Sequence, residues 1–398
     1  MKVLQQDEDV LALASITDAQ LAEVANAAGV PVARPQATLT PIAYDWGSPA
    51  TAGLWRADVR SQGQSGPPAC TFFVKLVRDV RLWPGLRFFP DEASRADFAA
   101  YYPWHFELDI HLAGIDSVMP AGMRTPVLYH AKSVDIDHKA LWWEFVAERS
   151  GPWHLGDYRR AARLLGQLAA RRREGAEINK ALPDIARTAH SGGSALRYYA
   201  SRRVQQGFLP ALQAERVWSH PVMRAALDRV ADPALPSELL SLGAQLPLIL
   251  DMLDALPKTY AHGDASPQNL LLPANEPDTV VVIDWGFGTL LPVGFDLGQL
   301  LVGLASAGQS DPVELAAIDA EIFPAYLDGL AAEDYKVEAT QVRAGYIGGL
   351  AARSALCALP LEQLGGPDPD DEIEALMTTR LRLTRVLVDM AREVCNAT

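Results

Sequence analysis

The feature that most constrains the fold is a pair of short β-rich runs, residues 270–272 and 280–283, separated by a turn. Both runs are apolar and too short for helices, so the stretch is typical of a β-hairpin. Asn269 stands directly before the first run, and Asp284 directly follows the second. In an antiparallel hairpin these positions lie at the same end, on strands about 5 Å apart. An amide oxygen and a carboxylate at one end suit a hard cation such as Mg²⁺.

A third polar residue, Asp264, lies on the loop that leads into the predicted hairpin. Together the motifs are His262-Gly263-Asp264, then Asn269, then Ile283-Asp284-Trp285-Gly286. A lone Asp-x-x-x-x-Asn carries little information, but its coupling to a strand–turn–strand and an Asp-aromatic-Gly is specific. The combination resembles the aminoglycoside phosphotransferase and choline kinase family and its ecdysteroid-kinase-like relatives.

The resemblance implies a bilobal protein-kinase-like fold of the α+β class, with a small antiparallel β-sheet lobe and a larger, mostly helical lobe. It implies transfer of the γ-phosphoryl group of ATP, or of another nucleoside triphosphate, to the hydroxyl of a small molecule. Asp264 is implied as the catalytic base, and Asn269 and Asp284 as ligands of Mg²⁺. Asp296 and His262 are implied as structural supports of the catalytic loop.

A lysine interrupts an otherwise apolar strand. In residues 71–77 only Lys75 is charged, and a buried ammonium group needs an anionic partner. From the strand alone, an edge-strand lysine that reaches solvent is an equal alternative. The resemblance implies that Lys75 holds the α- and β-phosphates of the nucleotide and that Glu107 pairs with it.

Glu107 lies in a predicted helix between Pro103 and Gly114. The predicted apolar stripe of this helix consists of Trp104, Leu108, His111 and Leu112. Glu92 is the alternative partner of the lysine, and helix context favours Glu107.

The connector at residues 141–146 falls where the family has the hinge between its lobes. The resemblance implies that backbone groups from Glu144 to Val146 bind the adenine edge. We expect Trp142 and Trp143 in the core rather than stacked on adenine, because such strands usually bury their aromatic residues. The chain has no Gly-x-Gly-x-x-Gly, which leaves the phosphate-loop residues unassigned.

The rest of the sequence supports a division into three parts. Thr17-Asp18-Ala19-Gln20 reads as a capping box that opens a helix ending at Gly29. Five strands are predicted at about 37–46, 52–60, 69–78, 125–134 and 140–147, and mainly helices from residue 155 onward. We predict an N-terminal helical extension over 1–36, a nucleotide-binding lobe of five strands and one helix over 37–147, and a helical lobe over 148–398.

Composition limits the class of partner. The formal net charge of −14 argues against nucleic acid, whose phosphates need clustered Lys and Arg, and weakly favours a cationic acceptor. Three widely spaced cysteines fit neither a disulfide framework nor a zinc site. The N-terminus is acidic where a signal peptide would be apolar, and no uninterrupted apolar run reaches membrane-spanning length. We expect a cytoplasmic monomer or homodimer that does not bind membranes and acts on a hydroxylated small molecule.

Two other functions remain open at this stage, a protein kinase and a non-catalytic nucleotide-binding module. The protein kinase is disfavoured because no Ala-Pro-Glu follows Asp284.

Residues 265–268 differ from the residues that the family usually has between the Asp and the Asn, which suggests an atypical acceptor. A set of basic and aromatic residues either lines an acceptor pocket or forms an amphipathic helix face: Arg197, Tyr198, Tyr199, Arg202 and Arg203.

Overall fold

A computed structural model describes residues 8–43, 48–89, 91–102, 104–180, 194–365 and 371–395. Contacts divide the chain into two compact units. The first unit comprises residues 1–116, 124–150 and 271–286, and the second comprises 117–123, 151–270 and 287–398.

This division differs from the predicted boundaries at two segments. Residues 271–286 group with the first unit, although the sequence placed them in the helical lobe, and 117–123 group with the second. Backbone hydrogen bonds explain the first difference, because the segment is tied to the chain that follows the main sheet. Arg149 N–H donates to Leu272 O at 2.9 Å, and Ala274 N–H donates to Ala147 O at 2.8 Å.

The first unit is built on an antiparallel five-stranded sheet with the order β1-β2-β3-β6-β5. Its strands are β1 (Pro35–Pro41), β2 (Thr51–Ser61), β3 (Cys70–Arg78), β5 (Leu128–Ser133) and β6 (His138–Glu144). The predicted number and antiparallel arrangement of strands are confirmed. β3 is the central strand, which explains why its residues are apolar on both faces.

Four helices accompany this sheet: α1 (Glu8–Ala14), α2 (Asp18–Ala27), α3 (Glu92–Tyr101) and α4 (Phe106–Leu112). The capping box that opens α2 is confirmed, since the Thr17 hydroxyl accepts from the N–H of Gln20 at 3.3 Å. Leu21 and Val24 of α2 pack into a core that contains Trp142. Both Trp142 and Trp143 are buried, at 1% and 4% exposure, as predicted.

The prediction of a single helix in this region is wrong, because α3 and α4 are separate. Asp91 starts the additional helix by accepting from the N–H of Ser94 at 2.7 Å. The predicted apolar stripe of α4 is also partly wrong: Leu112 is 68% exposed, whereas Phe106 and Ile110 are buried. α4 spans only seven residues, so a stripe of the predicted length does not form. Pro103 lies outside the described residues.

Three short strands form a second sheet in the order β4-β9-β8: β4 (Met123–Arg124), β8 (Leu270–Leu271) and β9 (Val280–Val282). β8 and β9 are neighbours, which confirms the predicted hairpin. All three residues of β9 are fully buried, which explains the continuous apolar run in the sequence.

The second unit is mostly helical. Its helices are α5 (Leu155–Arg171), α6 (Ala195–Tyr199), a π-helix (Ala200–Phe208), α7 (Leu209–Gln213), α8 (Glu215–Trp218), α9 (Pro221–Val230), α10 (Leu235–Ala255), α11 (Asp296–Ser306), α12 (Leu315–Ala332), α13 (Ala339–Arg353) and α14 (Asp371–Cys395). A two-stranded antiparallel sheet, β7 (Lys258–Ala261) and β10 (Thr289–Pro292), completes it. The predicted α+β class, with an antiparallel sheet region and a helical remainder, is confirmed.

One helical stretch of the second unit, Ala339–Leu364, is apolar and long enough to cross a membrane by length and composition alone. In its most apolar window 61% of the residues are buried inside the structure. Core helices of soluble proteins pass the same criterion, so the stretch is weak evidence for a membrane span.

Candidate active site

In the first unit Lys75 has the anionic partner that the sequence required. Its Nζ lies 2.6 Å from Glu107 Oε2, which makes Glu107 rather than Glu92 the paired residue. The side chains of Lys75 and Glu107 are 10% and 16% exposed. The alternative of an edge-strand lysine in solvent is wrong, because β3 lies between β2 and β6.

Asp284 belongs to the same polar cluster. Its Oδ1 lies 3.4 Å from Lys75 Nζ, and its backbone N–H donates to Glu107 Oε1 at 3.3 Å. Glu107 therefore holds both the lysine of the sheet and the loop that carries Asp284. The φ angle of Asp284 is 58°, in the left-handed region that few residues other than glycine adopt. Such backbone strain is often found at functional sites.

A small cavity of about 10 Å³ adjoins this cluster. Its lining residues include Ser48, Thr51, Lys75, Glu107, Asp284 and Gly286. The volume is close to that needed for one water molecule, so this space suits water or an ion rather than a whole nucleotide.

Asp264 and Asn269, which the sequence assigned to a catalytic loop and a metal site, contact each other in the second unit. Asn269 Nδ2 donates to the backbone oxygen of Asp264 at 2.9 Å and to its Oδ2 at 3.3 Å. Because the amide nitrogen is used in this way, Asn269 Oδ1 is the atom left to accept from a donor or bind a cation. The Asp264 carboxylate is 24% exposed, so a solute can reach it.

The side chain of Asp296 holds the backbone of the loop that carries Asp264. Its two carboxylate oxygens accept from the backbone N–H groups of His262 at 3.0 Å and Gly263 at 2.8 Å. Burial raises the pKa of Asp296, partly offset by these bonds and by His262. Asp264 N–H in turn donates to His262 Nδ1 at 3.2 Å. This geometry agrees with the structural roles that the resemblance implied for Asp296 and His262.

Glycine is required at position 263. Its φ angle is +80°, and a Cβ atom there would collide with the carbonyl oxygen of Phe287. Any side chain would therefore meet both backbone strain and a steric clash at the residue before Asp264.

Arg353 is a functional candidate that the sequence did not reveal. Its Nη2 lies 2.7 Å from Asp264 Oδ1, and Nη1 donates to the carbonyl of Gly263. Arg353 ends α13, 89 residues beyond the aspartate. No local spacing rule connects the two positions, and a cation in the last turn of a helix is common for other reasons.

Residues 265–268, whose identities suggested an atypical acceptor that they would face, are mostly packed inside the second unit. Ala265, Ser266 and Pro267 are buried, and Gln268 Nε2 donates to the carbonyl of Gly303 in α11 at 3.1 Å. A Cβ atom at Gly303 would come within 2.7 Å of Ser266 Cβ, so the loop packs tightly on α11. Their unusual identities therefore reflect this packing.

Only some backbone groups of the predicted adenine-binding connector can bind a nucleotide. The backbone N–H of Glu144 donates to Val127 O at 2.8 Å, and the Glu144 side chain forms two 2.7 Å contacts with Arg124. A contact from Glu144 to a nucleotide is therefore restricted to its carbonyl. Val146 is half-buried, and its backbone groups form no hydrogen bond within the described ranges.

Each of the two predicted magnesium ligands, Asp284 and Asn269, offers an oxygen that suits the ion. No cluster of three or more His, Cys, Asp and Glu side chains suited to a metal occurs among the residues that the structure describes. Mg²⁺ usually takes one or two carboxylates together with substrate phosphates and water, so a sparse protein set fits it. Asp284 offers a carboxylate that is 33% exposed, and Asn269 offers Oδ1.

One known protein family matches more than half of the chain. The model of the phosphotransferase enzyme family (APH) matches residues 86–334, which is more than half of the chain. The chain belongs to this family and is a phosphotransferase. No curated protein sequence matches it.

Several known structures are similar over most of the chain. Spectinomycin phosphotransferase APH(9)-Ia, in complex with AMP, is 13% identical, with 95% of this chain and 99% of that one covered and a TM-score of 0.47. Ethanolamine kinase from Plasmodium vivax is 12% identical, with coverage of 90% and 84% and a TM-score of 0.48. An amicoumacin kinase bound to AMP-PNP and Ca²⁺ is 12% identical, with 96% coverage of both chains and a TM-score of 0.45.

Proposed function

We propose that this chain transfers the γ-phosphoryl group of ATP to a hydroxyl group of a small molecule in a Mg²⁺-dependent reaction. The observation that carries the proposal is the setting of Asp264. Its loop is fixed by Asp296, its carboxylate is oriented by Asn269 and Arg353, and it stays accessible at 24% exposure. A carboxylate fixed in this way can orient a hydroxyl and accept its proton.

Phosphoryl transfer requires little covalent chemistry from the protein. Most of the catalysis comes from positioning the two substrates and from stabilising the charge on the phosphates. Asp264 is assigned as the base. Lys75, held by Glu107, supplies a cation for the α- and β-phosphates, and the adenine edge is assigned to Glu144 O and Val146. Asp284 and Asn269 Oδ1 would hold Mg²⁺, which neutralises phosphate charge when bound.

The intact set of functional groups disfavours the non-catalytic alternative. Lys75, Asp264, Asn269 and Asp284 are all present, and each has a specific contact that orients it. A module that only bound nucleotide would have no need for an oriented, accessible aspartate. We further propose that the enzyme acts in the cytoplasm.

The test is Mg²⁺-dependent ADP formation with a panel of hydroxylated acceptors. The panel includes spectinomycin, streptomycin, amicoumacin, ethanolamine and choline, simple sugars and hydroxy acids. Asp264→Ala should lower kcat by about 10²–10⁴ while nucleotide affinity is retained. Asp328→Ala, which alters an exposed aspartate of α12, is the matched control and should leave kcat unchanged.

Two results would count against the proposal. Absence of Mg²⁺-ATP binding would remove its basis. An Asp264→Ala enzyme that kept normal turnover would show that another group accepts the proton.

A further inference from the structure

Arginine side chains from three helices of the second unit lie near Tyr199 or Glu362. Arg203 lies in the π-helix, Arg353 ends α13, and Arg380 lies in α14. The guanidinium carbon of Arg353 lies 5.9 Å from the ring centroid of Tyr199, and that of Arg203 lies 6.0 Å from the same ring. Since Arg353 also contacts Asp264, Arg203 lies one aromatic ring away from the residue pair at the proposed site of chemistry.

Of these three arginines, Arg353 contacts an acid directly, and among the described residues the other two have only longer-range attraction to one. Arg353 forms a salt bridge with Asp264. The carboxylate of Glu362 attracts Arg203 and Arg380 electrostatically from a longer distance. Within the described part of the chain neither Arg203 nor Arg380 forms a salt bridge. Arg380 Nε is buried there without a hydrogen-bond partner, and burial lowers the pKa of this guanidinium. The region therefore has more positive charge than its carboxylates neutralise at contact distance.

A nearby arginine shows what a structural pairing looks like in the same region. Arg197 of α6 contacts Asp254 and Asp251, each at 2.8 Å, so its charge is fully used by α10. Arg203 instead lies against the rings of Tyr199 and Phe208 and donates to the Cys357 sulfur.

Those partners of Arg203 are weak compared with a carboxylate, and its side chain is exposed. Aromatic faces and a thiol position a guanidinium without neutralising it. A guanidinium held in this way is free to bind a carboxylate or a phosphate through two parallel hydrogen bonds.

We propose that the acceptor of this enzyme carries an oxyanion, a carboxylate or a phosphate, in addition to its reacting hydroxyl, and that Arg203 binds this group. The inference rests on the proposed kinase function and deepens it. It replaces the cationic acceptor that the overall charge of −14 weakly favoured. Net charge describes the whole surface, whereas acceptor choice depends on the few charges beside Asp264.

The test compares acceptors that share one skeleton and differ in charge. 3-Hydroxybutyrate, its primary amide and 4-amino-2-butanol form the carboxylate series, and glycerol 3-phosphate with glycerol forms the phosphate series. We expect kcat/KM for the anion of at least one series to exceed that for its neutral partner by about 10- to 100-fold, as for a charge-assisted hydrogen bond. The series that shows the larger ratio identifies the source of the oxyanion.

Arg203→Gln should reduce this anion-to-neutral ratio to near one, with a smaller change in turnover of the neutral compound. Arg203→Lys should restore part of the ratio. Arg202→Gln is the matched control, because Arg202 precedes it in the same helix and lies against Tyr198 instead. The control should keep the wild-type ratio.

Calorimetric binding of the same compounds to the Mg²⁺-ADP-loaded protein separates this inference from the proposed function. Arg203-dependent anion binding without turnover would support the inference and contradict the kinase function. Turnover of the amino alcohol in preference to the anions would support the kinase function and contradict the inference. An anion-to-neutral ratio near one in the wild-type protein, in both binding and turnover, would overturn the inference.

Discussion

The guanidinium of Arg353 contacts the carboxylate of Asp264 at 2.7 Å and also bonds the carbonyl of the preceding Gly263. One side chain thus fixes both the backbone and the functional group of the proposed base. The side chains of Arg353 and Asp264 are 15% and 24% exposed, so the contact is partly shielded from water and salt.

Replacing Arg353 by Gln should therefore impair catalysis more than nucleotide binding. We expect kcat to fall by about 10- to 100-fold, because an unrestrained Asp264 loses its orientation toward the hydroxyl. The free energy of unfolding should fall by about 1–3 kcal/mol. Steady-state kinetics and denaturant unfolding measure the two effects, and Arg353→Lys should recover only part of kcat because it lacks the second hydrogen bond. Unchanged kcat would show that the contact has no functional role.

Lys75 should be needed for nucleotide affinity. Lys75→Met removes the cation and leaves the carboxylates of Glu107 and Asp284 near each other, so it should raise the KM for ATP by about 10- to 100-fold. Lys139→Met, in the adjacent strand β6, is the control, since Lys139 pairs in register with Val77 outside the polar cluster. Equal KM values in the two variants would contradict the assignment of Lys75.

The sheet and the catalytic loop could be predicted because their signals are local. Alternating and continuous apolar runs located the strands, and the spacing from Asp264 to Asn269 located the loop. The need of Lys75 for an anionic partner followed from the cost of burying an unpaired charge, whereas the choice of Glu107 came from the family resemblance and helix context. These inferences depend on neighbours in sequence or on one strong energetic requirement.

Other features depend on contacts that sequence spacing does not encode. Arg353 reaches the loop from a distant helix, and Arg203 is distinguished from Arg197 only by which residues of other helices lie opposite each. Backbone groups from Glu144 to Val146 were assigned to adenine, yet tertiary structure pairs the N–H of Glu144 with Val127. The exposure of Leu112 likewise follows from how short α4 is.

Asp284 should determine the dependence on magnesium. Asp284→Ala removes the partly exposed carboxylate assigned to the ion, so Mg²⁺-ATP binding should be lost while the fold is retained. Calorimetric titration of ATP with and without Mg²⁺ measures this effect. A variant whose affinity for ATP still increased with Mg²⁺ as in the wild type would exclude Asp284 as a ligand. Because its φ angle is 58°, Asp284→Asn is the second variant, since Asn tolerates this conformation.

Asp296 should be needed to hold the catalytic loop. An Asn side chain offers one acceptor oxygen where His262 and Gly263 present two N–H donors, so Asp296→Asn leaves one donor facing an NH₂ group. We expect the free energy of unfolding to fall by about 1–3 kcal/mol and kcat to fall with it. Circular dichroism melting and kinetics measure both, and full activity at unchanged stability would contradict this role.

The reactivity of the Cys357 thiol measures the electrostatic effect of Arg203 and requires no acceptor molecule. Burial raises the pKa of Cys357 to about 11, and the adjacent Arg203 partly opposes the rise. At pH 8 only about one thiol in a thousand is then ionised, so alkylation should be slow and should accelerate about tenfold per pH unit. Iodoacetamide labelling between pH 7 and 9.5 in a Cys70→Ser, Cys395→Ser background measures this dependence.

The sign of the Arg203 effect on this thiol is fixed by electrostatics. Removing a cation disfavours the thiolate, so Arg203→Gln should raise the pKa of Cys357 further and slow labelling at each pH. Arg202→Gln should leave the profile unchanged, since Arg202 lies against Tyr198. A rate plateau below pH 9 in the wild type would show that the thiol is not buried as described. Faster labelling of the Arg203→Gln variant would show that this guanidinium shields the sulfur rather than stabilising its charge.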